Sequence, residues 1–373
     1  MYKTRSVSRL GCIDGLRGYL ALLVFIHHFV ITYYWKIEGS WTRPPEDYFN
    51  NFGQAGVSLF FMITGYLFIS KILSQREKIN WIKFYISRIF RIVPLYTFVL
   101  GIIILTVAIE TSFTLHVDVG QFVGQILRWV FFVGSVINEF HDTEKIIASV
   151  DWSLKYEWLF YLLLPIIAQG ILKSRMLLFY TIFVVIVASE IALSIWSSYN
   201  SSCLILFLIG GVTAKIKTVN YKVINYMDHW LITIIAIASL IVVINCFKTS
   251  FGLTQALLLS IFFIPVALGN SMFGILKLDS SIFLGEISYS IYLMHGIVLY
   301  FTFSLFFPNH IASNTQTSYM LLMPIIAVLV ILISWATYIF IEKPMNIFGK
   351  QLSNRLIKNE NIADFDKPIN IAS

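Results

Sequence analysis

The chain has 373 residues, of which 58% are hydrophobic and only 13% charged, with a mean hydropathy of +0.78. A soluble domain carries roughly twice that charged fraction, so this composition excludes a soluble globular protein. Repeated apolar runs of about 20 residues predict an integral membrane protein that crosses the bilayer many times. The net charge of +7 follows the predicted topology and does not indicate a nucleic-acid partner.

Ten apolar segments are predicted to cross the membrane, which gives an all-α polytopic fold. They cover about 16–35, 54–73, 89–109, 152–172, 176–196, 202–216, 229–247, 253–274, 282–305 and 319–341. A further apolar stretch near 122–138 is short and has Arg128 in its middle. We expect this stretch to be re-entrant or to lie at the outer interface.

The distribution of Lys and Arg predicts that both termini are cytoplasmic. With ten spans, 21 of the 27 Lys and Arg residues fall on the cytoplasmic side. If 122–138 also crossed the membrane, every later loop would change sides, and Lys and Arg would be divided almost equally between the cytoplasmic and outer sides. We expect one membrane domain over 1–345 and a polar cytoplasmic tail over 346–373. The long outer segments 36–53 and 110–151 are natural places for a rim that selects a substrate.

The first predicted span carries ionisable residues that are costly in lipid. Arg17 and His28 are about three helical turns apart, so they share one helix face at a separation of about 16 Å. Ionisable groups inside a membrane usually face a protein interior or a wet cavity and mark functional sites. The alternatives are that Arg17 reaches the lipid head groups and that His28 only bonds a neighbouring helix.

A basic patch stands at the cytoplasmic start of the third span. Arg88 and Arg91 are three positions apart and share a helix face, which suits a phosphate-rich cytosolic ligand. Contact with anionic lipid would explain the same patch.

Ser153 and Glu157 open the fourth span from the outer side and stack on one helix face. Counted from opposite ends of their helices, Glu157 and His28 could reach similar depths in a core about 30 Å thick. A carboxylate beside an imidazole is a general-base arrangement. A structural salt bridge between helices would have the same sequence signature.

Two later motifs also place polar residues in apolar spans. Ser288, Tyr292 and His295 fall on one stripe of the ninth span, where interhelical hydrogen bonding is the alternative to catalysis. In the last span, Glu342 is placed to pair with a basic residue, and we expect Pro344 to end the helix.

Taken in order, these motifs resemble those of the acyltransferase family 3 membrane proteins, the bacterial glycan O-acyltransferases. The matching residues run from about 10 to 345. They are Asp14-Gly15-Leu16-Arg17-Gly18 with the spacing to His28, Gly56-Val57-Ser58-Leu59-Phe60-Phe61 with Thr64-Gly65, Arg88 with Arg91-Ile92 and Pro94, Trp152-Ser153-Leu154 with Glu157, Ser288-Tyr289-Ser290-Ile291-Tyr292-Leu293 with His295, and Glu342-Lys343-Pro344. Many members carry an acidic pair where this chain has Glu157-Trp158.

The resemblance implies ten membrane helices, a cytosolic acyl-CoA donor and O-acylation of an envelope or exported carbohydrate, often one built on a lipid carrier. It implies an acyltransferase for groups other than amino-acyl groups, located in a bacterial cytoplasmic membrane. Acetyl-CoA is the expected donor, with succinyl or another short acyl group left open. The expected partners are the acyl-CoA, the carbohydrate and membrane lipids, without nucleic acid.

The resemblance also marks the residues of the site. We assign Arg17, Arg88 and Arg91 to donor binding, and His28, Glu157, Ser153 and His295 to catalysis. His28, supported by Glu157, is expected to remove the proton from a sugar hydroxyl. No metal is expected, because the His, Cys, Asp and Glu residues show no ligand spacing.

A transporter or flippase for a glycan or lipid-linked sugar is the alternative function. That function would favour inverted repeats, and none is evident in the sequence. A sensor or scaffold would not need the stripe that joins Arg17 to His28.

Overall fold

The computed structural model describes residues 11–75, 79–172, 202–219, 224, 226–307 and 315–365. Within these ranges the chain is helical and forms no β-sheet. The helices are α1 (Gly11–Glu38), α2 (Asp47–Gln75), α3 (Trp81–Glu110), α4 (Val119–Val130), α5 (Trp152–Leu172), α6 (Ser202–Val219), α7 (Trp230–Cys246), α8 (Leu253–Leu268), α9 (Asp279–Glu286), α10 (Ser288–Tyr300), α11 (Gln316–Met320), α12 (Met323–Thr337) and α13 (Lys343–Phe365).

Among the described residues, five helical regions are long and apolar enough to cross a membrane. They are Gly11–Glu38, Asp47–Gln75, Trp81–Glu110, Ser288–Phe306 and Gln316–Leu356. The shorter apolar helices α7 and α8, together with α5 and α6, coincide with further predicted spans. The predicted span 176–196 lies outside the described residues. A polytopic helical membrane fold is therefore confirmed, while the count of ten spans and the cytoplasmic termini stay predictions.

The ambiguous stretch near 122–138 forms α4, a helix of 12 residues. At about 1.5 Å per residue, α4 is about 18 Å long and cannot cross a core of about 30 Å. Trp129 is its one fully buried side chain, and the Trp129 carbonyl accepts a hydrogen bond of 2.7 Å from Tyr96 of α3. This helix therefore lies against the bundle, as we expect of a segment that does not cross.

Close approaches of backbone explain two glycine motifs. A Cβ on Gly18 of α1 would overlap Leu284 and Gly285 of α9, and a Cβ on Gly285 would overlap the backbone of Asp14. A Cβ on Gly65 of α2 would overlap the backbone of α6. Small residues let membrane helices approach at backbone distance, so these glycines hold α1, α2, α6 and α9 together.

The last span differs from its sequence prediction. Pro344 does not end the helix; it occupies the second position of α13, directly after a π-helical turn over Tyr338–Glu342. Helical structure runs without a break from α12 through this turn into α13, so the absent N–H of Pro344 falls beside a turn where the hydrogen-bond ladder is already irregular. The helix therefore continues through 346, where the sequence analysis begins the polar tail.

Helix α13 packs along the start of α3. Phe348 meets Phe90 at a ring-centroid distance of 5.3 Å, and Gly349 lies directly beneath the Phe90 ring. Lys83 of α3 donates a hydrogen bond of 2.8 Å to Asn354. This contact places the first turns of α13 beside the basic patch of α3.

Candidate active site

A cavity of about 920 Å³ opens at the end of the bundle that carries Lys71, Lys343 and Lys350. The Lys and Arg distribution predicts that this end is cytoplasmic. Helices α1, α2, α3, α5, α9, α10 and α13 all contribute lining residues. The volume is at the upper end of the range for small-molecule sites.

The cavity lining is predominantly cationic. Its cations are Arg17, Lys71, Arg88, Arg91, Lys343 and Lys350, and its carboxylates are Asp14, Glu157 and Glu286. The three lysines are exposed and the three arginines are partly buried, so positive charge continues from the mouth into the interior. A cleft lined by one sign of charge concentrates ligands of the opposite sign. The cavity therefore suits a polyanion.

Arg17 reaches the cavity because the glycines of its motif bring α1 against α9. The contacts of Gly15 with the Leu276 backbone and of Gly18 with Leu284 set this approach. Within the described residues, Arg17 makes no hydrogen bond and no ion pair. Its charge interacts only at longer range with the carboxylates of Asp14, Glu157 and Glu342. Its hydrogen-bond donors are therefore available to a bound anion.

Arg88 and Arg91 share a helix face as expected, but they have different partners. Arg91 forms an ion pair with Glu342, which also accepts a hydrogen bond of 2.9 Å from Ser290. Arg88 lies over the Phe68 ring at 5.2 Å. Its Nε is buried and has no hydrogen-bond partner among the described residues. An orphaned buried donor costs free energy that a ligand can recover.

The inner end of the cavity is formed by hydroxyl groups and one carboxylate. Ser153 Oγ and Tyr292 Oη lie 2.7 Å apart, and each also lies 3.2 Å from the Val150 carbonyl. Glu157 accepts a hydrogen bond from Tyr161 one turn later. The predicted stacking of Ser153 and Glu157 is thus found, and both residues line the cavity.

Asp151 fixes the loop that leads into this end. Its Oδ2 accepts a hydrogen bond of 2.9 Å from the Gly134 N–H. Burial raises the pKa of Asp151 to about 6. The contact ties the segment after α4 to the start of α5, two residues before Ser153.

The histidines lie beyond Tyr292, and among the described residues the cavity lining includes neither His28 nor His295. His28 Nδ1 lies 3.0 Å from His295 Nε2 and 3.1 Å from the Val24 carbonyl. The His28 ring stacks between His295 and Trp41, at centroid distances of 5.1 and 6.3 Å. Within the described residues, no group of three or more His, Cys, Asp and Glu side chains is arranged to hold a metal ion.

The His27 ring meets the His28 ring edge-on at a centroid distance of 4.7 Å but has a different hydrogen-bond partner. Its Nδ1 lies 3.0 Å from the Phe49 carbonyl, and its ring fills the space above Gly53 of α2. The two adjacent histidines therefore differ as their 100° separation predicts: one packs between helices and the other joins the polar cluster.

The structure brings the predicted residues together in two groups. Arg17, Arg88, Arg91, Ser153 and Glu157 share the cavity, and His28 pairs with His295 behind its inner end. The expected support of His28 by Glu157 is not found, because Glu157 bonds Tyr161 and the partner of His28 is His295.

The residues of this region that sequence reasoning missed include Lys343, Lys350 and Trp41. Lys343 and Lys350 line the mouth from α13, and Trp41 covers His28 from the first outer loop. The seven-residue spacing between Lys343 and Lys350 could have placed both lysines on one helix face. Nothing local distinguishes Trp41 from the other tryptophans.

The family model described as acyltransferase domain matches residues 10–339. The chain is similar to the O-acetyltransferase OatA of Staphylococcus aureus strain NCTC 8325, with 24% identity over 387 aligned residues that cover 94% of this chain and 58% of that protein.

A putative O-acetyltransferase of S. aureus strain COL is 25% identical over 344 residues, covering 83% of this chain and 54% of the relative. The chain thus spans just over half the length of these relatives. No solved structure matches it.

Proposed function

The chain belongs to the acyltransferase domain family, and from this premise we propose that it transfers an acyl group, acetyl by preference, from acyl-CoA to a carbohydrate hydroxyl. The observation that carries the proposal is the cationic cavity, which runs from the predicted cytoplasmic end of the bundle to the hydroxyl groups of Ser153 and Tyr292. Its relatives are named O-acetyltransferases, which supports an oxygen acceptor.

The donor binds with its nucleotide at the mouth and its thioester inside. Phosphate groups favour the fork geometry of arginine and the point charge of lysine. Arg88 offers a buried N–H without a partner in the described residues, and Arg17 offers a guanidinium that makes no hydrogen bond there. A flexible arm between nucleotide and thioester then extends along the cavity towards Ser153.

The chemistry requires a base, and His28 supplies it. His28 accepts the proton of the sugar hydroxyl while the hydroxyl oxygen attacks the thioester carbonyl carbon. The negative charge on the carbonyl oxygen is stabilised when a hydroxyl of Ser153 or Tyr292 turns from the Val150 carbonyl and donates to it. When the carbon–sulfur bond breaks, the proton on His28 passes to the departing thiolate, so the products are an O-acyl sugar and free CoA.

The acceptor approaches from the opposite side of the bundle. Trp41, in the outer segment predicted to select the substrate, lies parallel to the His28 ring with an interplanar angle of 18°. Donor and acceptor therefore meet near Tyr292, which lies between the cavity and His28. The enzyme lies in the bacterial cytoplasmic membrane, and its acceptor is a glycan of the envelope or one carried on a lipid.

The experiment is acyl transfer by the purified protein in proteoliposomes. Acetyl-CoA labelled in the acetyl group is supplied with a glycan fraction from the host membrane. Free CoA should appear together with label in the glycan, and His28→Ala should abolish both. Protein that moves glycan across the vesicle while never consuming acetyl-CoA would contradict the proposal and favour a transporter.

The acceptor is identified by mass spectrometry of cell-surface glycans from a deletion strain and its parent. The O-acyl group missing from the deletion strain reports both the acyl chain and the modified sugar. An unchanged set of O-acyl groups on every surface glycan would contradict an envelope acceptor.

A further inference from the structure

The ring nitrogens of His28 and His295 are hydrogen-bonded 3.0 Å apart. We infer that His295 is a positioning residue, which together with the Val24 carbonyl holds His28 with its proton on Nδ1 and so leaves the Nε2 lone pair for the acceptor hydroxyl. The inference rests on the proposed function, because it explains how His28 becomes a base. It assigns to a neutral imidazole the supporting role that the sequence analysis gave to Glu157.

The tautomer of His295 is set by its own helix. His295 is fully buried, and its Nδ1 lies 3.0 Å from the Ile291 carbonyl. A carbonyl oxygen only accepts hydrogen bonds, so Nδ1 must carry the proton. In a neutral imidazole the other nitrogen is then an acceptor. His295 therefore presents the Nε2 lone pair to His28.

Two hydrogen-bond acceptors set the tautomer of His28. Its Nδ1 faces two acceptors, the Val24 carbonyl at 3.1 Å and His295 Nε2 at 3.0 Å. Nδ1 must therefore carry the proton and donate it to this pair. His28 Nε2 is then unprotonated, and it has no hydrogen-bond partner within the described residues. It is the nitrogen free to accept a proton from a substrate.

The surrounding packing holds both rings in place. A Cβ on Gly296 would overlap the backbone of Ile147 and Ala148, so α10 is wedged against this outer segment beside His295. The Trp41 ring stacks on the His28 ring at a centroid distance of 6.3 Å, and the His27 ring meets the His28 ring edge-on at 4.7 Å. These contacts restrain the His28 ring in the orientation in which its Nδ1 donates to His295.

At this buried position, a neutral partner for His28 costs less free energy than a charged one. A buried carboxylate needs compensating charge or hydrogen bonds, whereas a neutral imidazole adds no charge. When His28 gains the substrate proton, its Nδ1–H becomes a charge-assisted donor to His295. The contact thus strengthens during the reaction, which is the requirement for a group that assists catalysis.

The test compares two substitutions of His295. His295→Gln keeps a side-chain oxygen near the position of Nε2, whereas His295→Leu keeps much of the volume and has no acceptor. We expect His295→Leu to lower kcat by a factor on the order of 10², as is typical when an orienting partner is lost. Its KM for acetyl-CoA should stay unchanged, and His295→Gln should recover most of kcat.

A measurement independent of activity reads the tautomer directly. Nitrogen-15 spectra of histidine-labelled protein, assigned with His28→Gln, should show a protonated Nδ1 and an unprotonated Nε2 for His28. In His295→Leu the Val24 carbonyl remains as an acceptor, so the proton should stay on Nδ1 while the Nδ1 resonance moves because the bond to His295 is lost. A wild-type His28 protonated on Nε2, or a His28 Nδ1 resonance that is unchanged in His295→Leu, overturns the inference.

Different results would contradict the proposed function and the positioning role of His295. If His28→Ala still transfers acyl groups, the proposed base is wrong. If His28→Ala is inactive while His295→Leu keeps the wild-type kcat, the proposed function stands and the positioning role of His295 is wrong.

Discussion

Arg91 and Glu342, which are 251 positions apart in the sequence, form an ion pair in which the Glu342 side chain is fully buried. Ser290 completes the pair by donating to the second carboxylate oxygen. The pair therefore ties α3, α10 and the last span together at the rim of the cavity. Its position gives Arg91 a structural role besides lining the cavity.

Removing one partner of this pair should destabilise the protein strongly. Arg91→Leu leaves a buried carboxylate without its cation, which typically costs about 3–5 kcal/mol. We expect a clear fall in Tm in detergent, measured by a thermal-shift assay.

The matched control is the double variant Arg91→Leu with Glu342→Leu. Because neither charge is then left alone, its Tm should recover much of the loss. Single variants with wild-type Tm would show that the pair does not hold these helices.

Arg88 should contribute to donor affinity without a comparable effect on stability. Hydrogen bonds to charged groups are worth about 1.5–3 kcal/mol, so Arg88→Ala should weaken acetyl-CoA binding about 10- to 100-fold. The measurement is a binding titration in detergent. Arg128→Ala, at an exposed position of α4, serves as the control and should bind normally. Unchanged affinity in Arg88→Ala would remove the nucleotide from this patch.

Lys343 and Lys350 should act on the phosphate-bearing part of the donor. The double variant Lys343→Ala with Lys350→Ala should raise KM for acetyl-CoA several-fold, and more at low ionic strength, because exposed charges are screened by salt. The KM for an acetyl-pantetheine thioester, which lacks the nucleotide, should not change.

The control for the double variant at the cavity mouth is Lys248→Ala, which changes an exposed lysine beyond α7. This variant should leave the KM for both thioesters unchanged. If the double variant raised the KM for acetyl-CoA and for the acetyl-pantetheine thioester equally, Lys343 and Lys350 would not contact the nucleotide.

His28 should be required for transfer, whereas its neighbour should not. Loss of a general base typically costs a factor of about 10²–10⁴ in rate, so His28→Ala and His28→Gln should both lose transfer while reaching the membrane in normal amounts. His27→Asn keeps a donor for the Phe49 carbonyl and should retain most activity. An inactive His27 variant together with an active His28 variant would contradict the prediction, because catalysis would then depend on the face of α1 that carries His27.

The ten-span topology should be visible in reporter fusions. Fusions at Tyr48 and Asp142 are expected to report the outer side, and those at Asn80 and Tyr221 the cytoplasmic side, because the Lys and Arg bias then follows the positive-inside rule. A cytoplasmic signal at Asp142 would contradict the assignment and reverse the sides of the cavity and of Trp41.

The sequence alone determined the class of protein, the polytopic helical fold and the family. These follow from signals that are local or additive, namely apolar run length, charge distribution and an ordered set of short motifs. Helical periodicity also placed Arg17 with His28, and Ser153 with Glu157, on common faces.

The tertiary structure decided which of these faces meet. Helical spacing relates residues within one helix, but the rotation and depth of neighbouring helices depend on packing contacts such as Gly18 against Gly285. For that reason Glu157 bonds Tyr161 instead of His28, and Arg91 is paired with Glu342. Pro344 lies at the second position of α13, directly after the π-helical turn, and this continuation of the helix brings Lys343 and Lys350 to the cavity mouth.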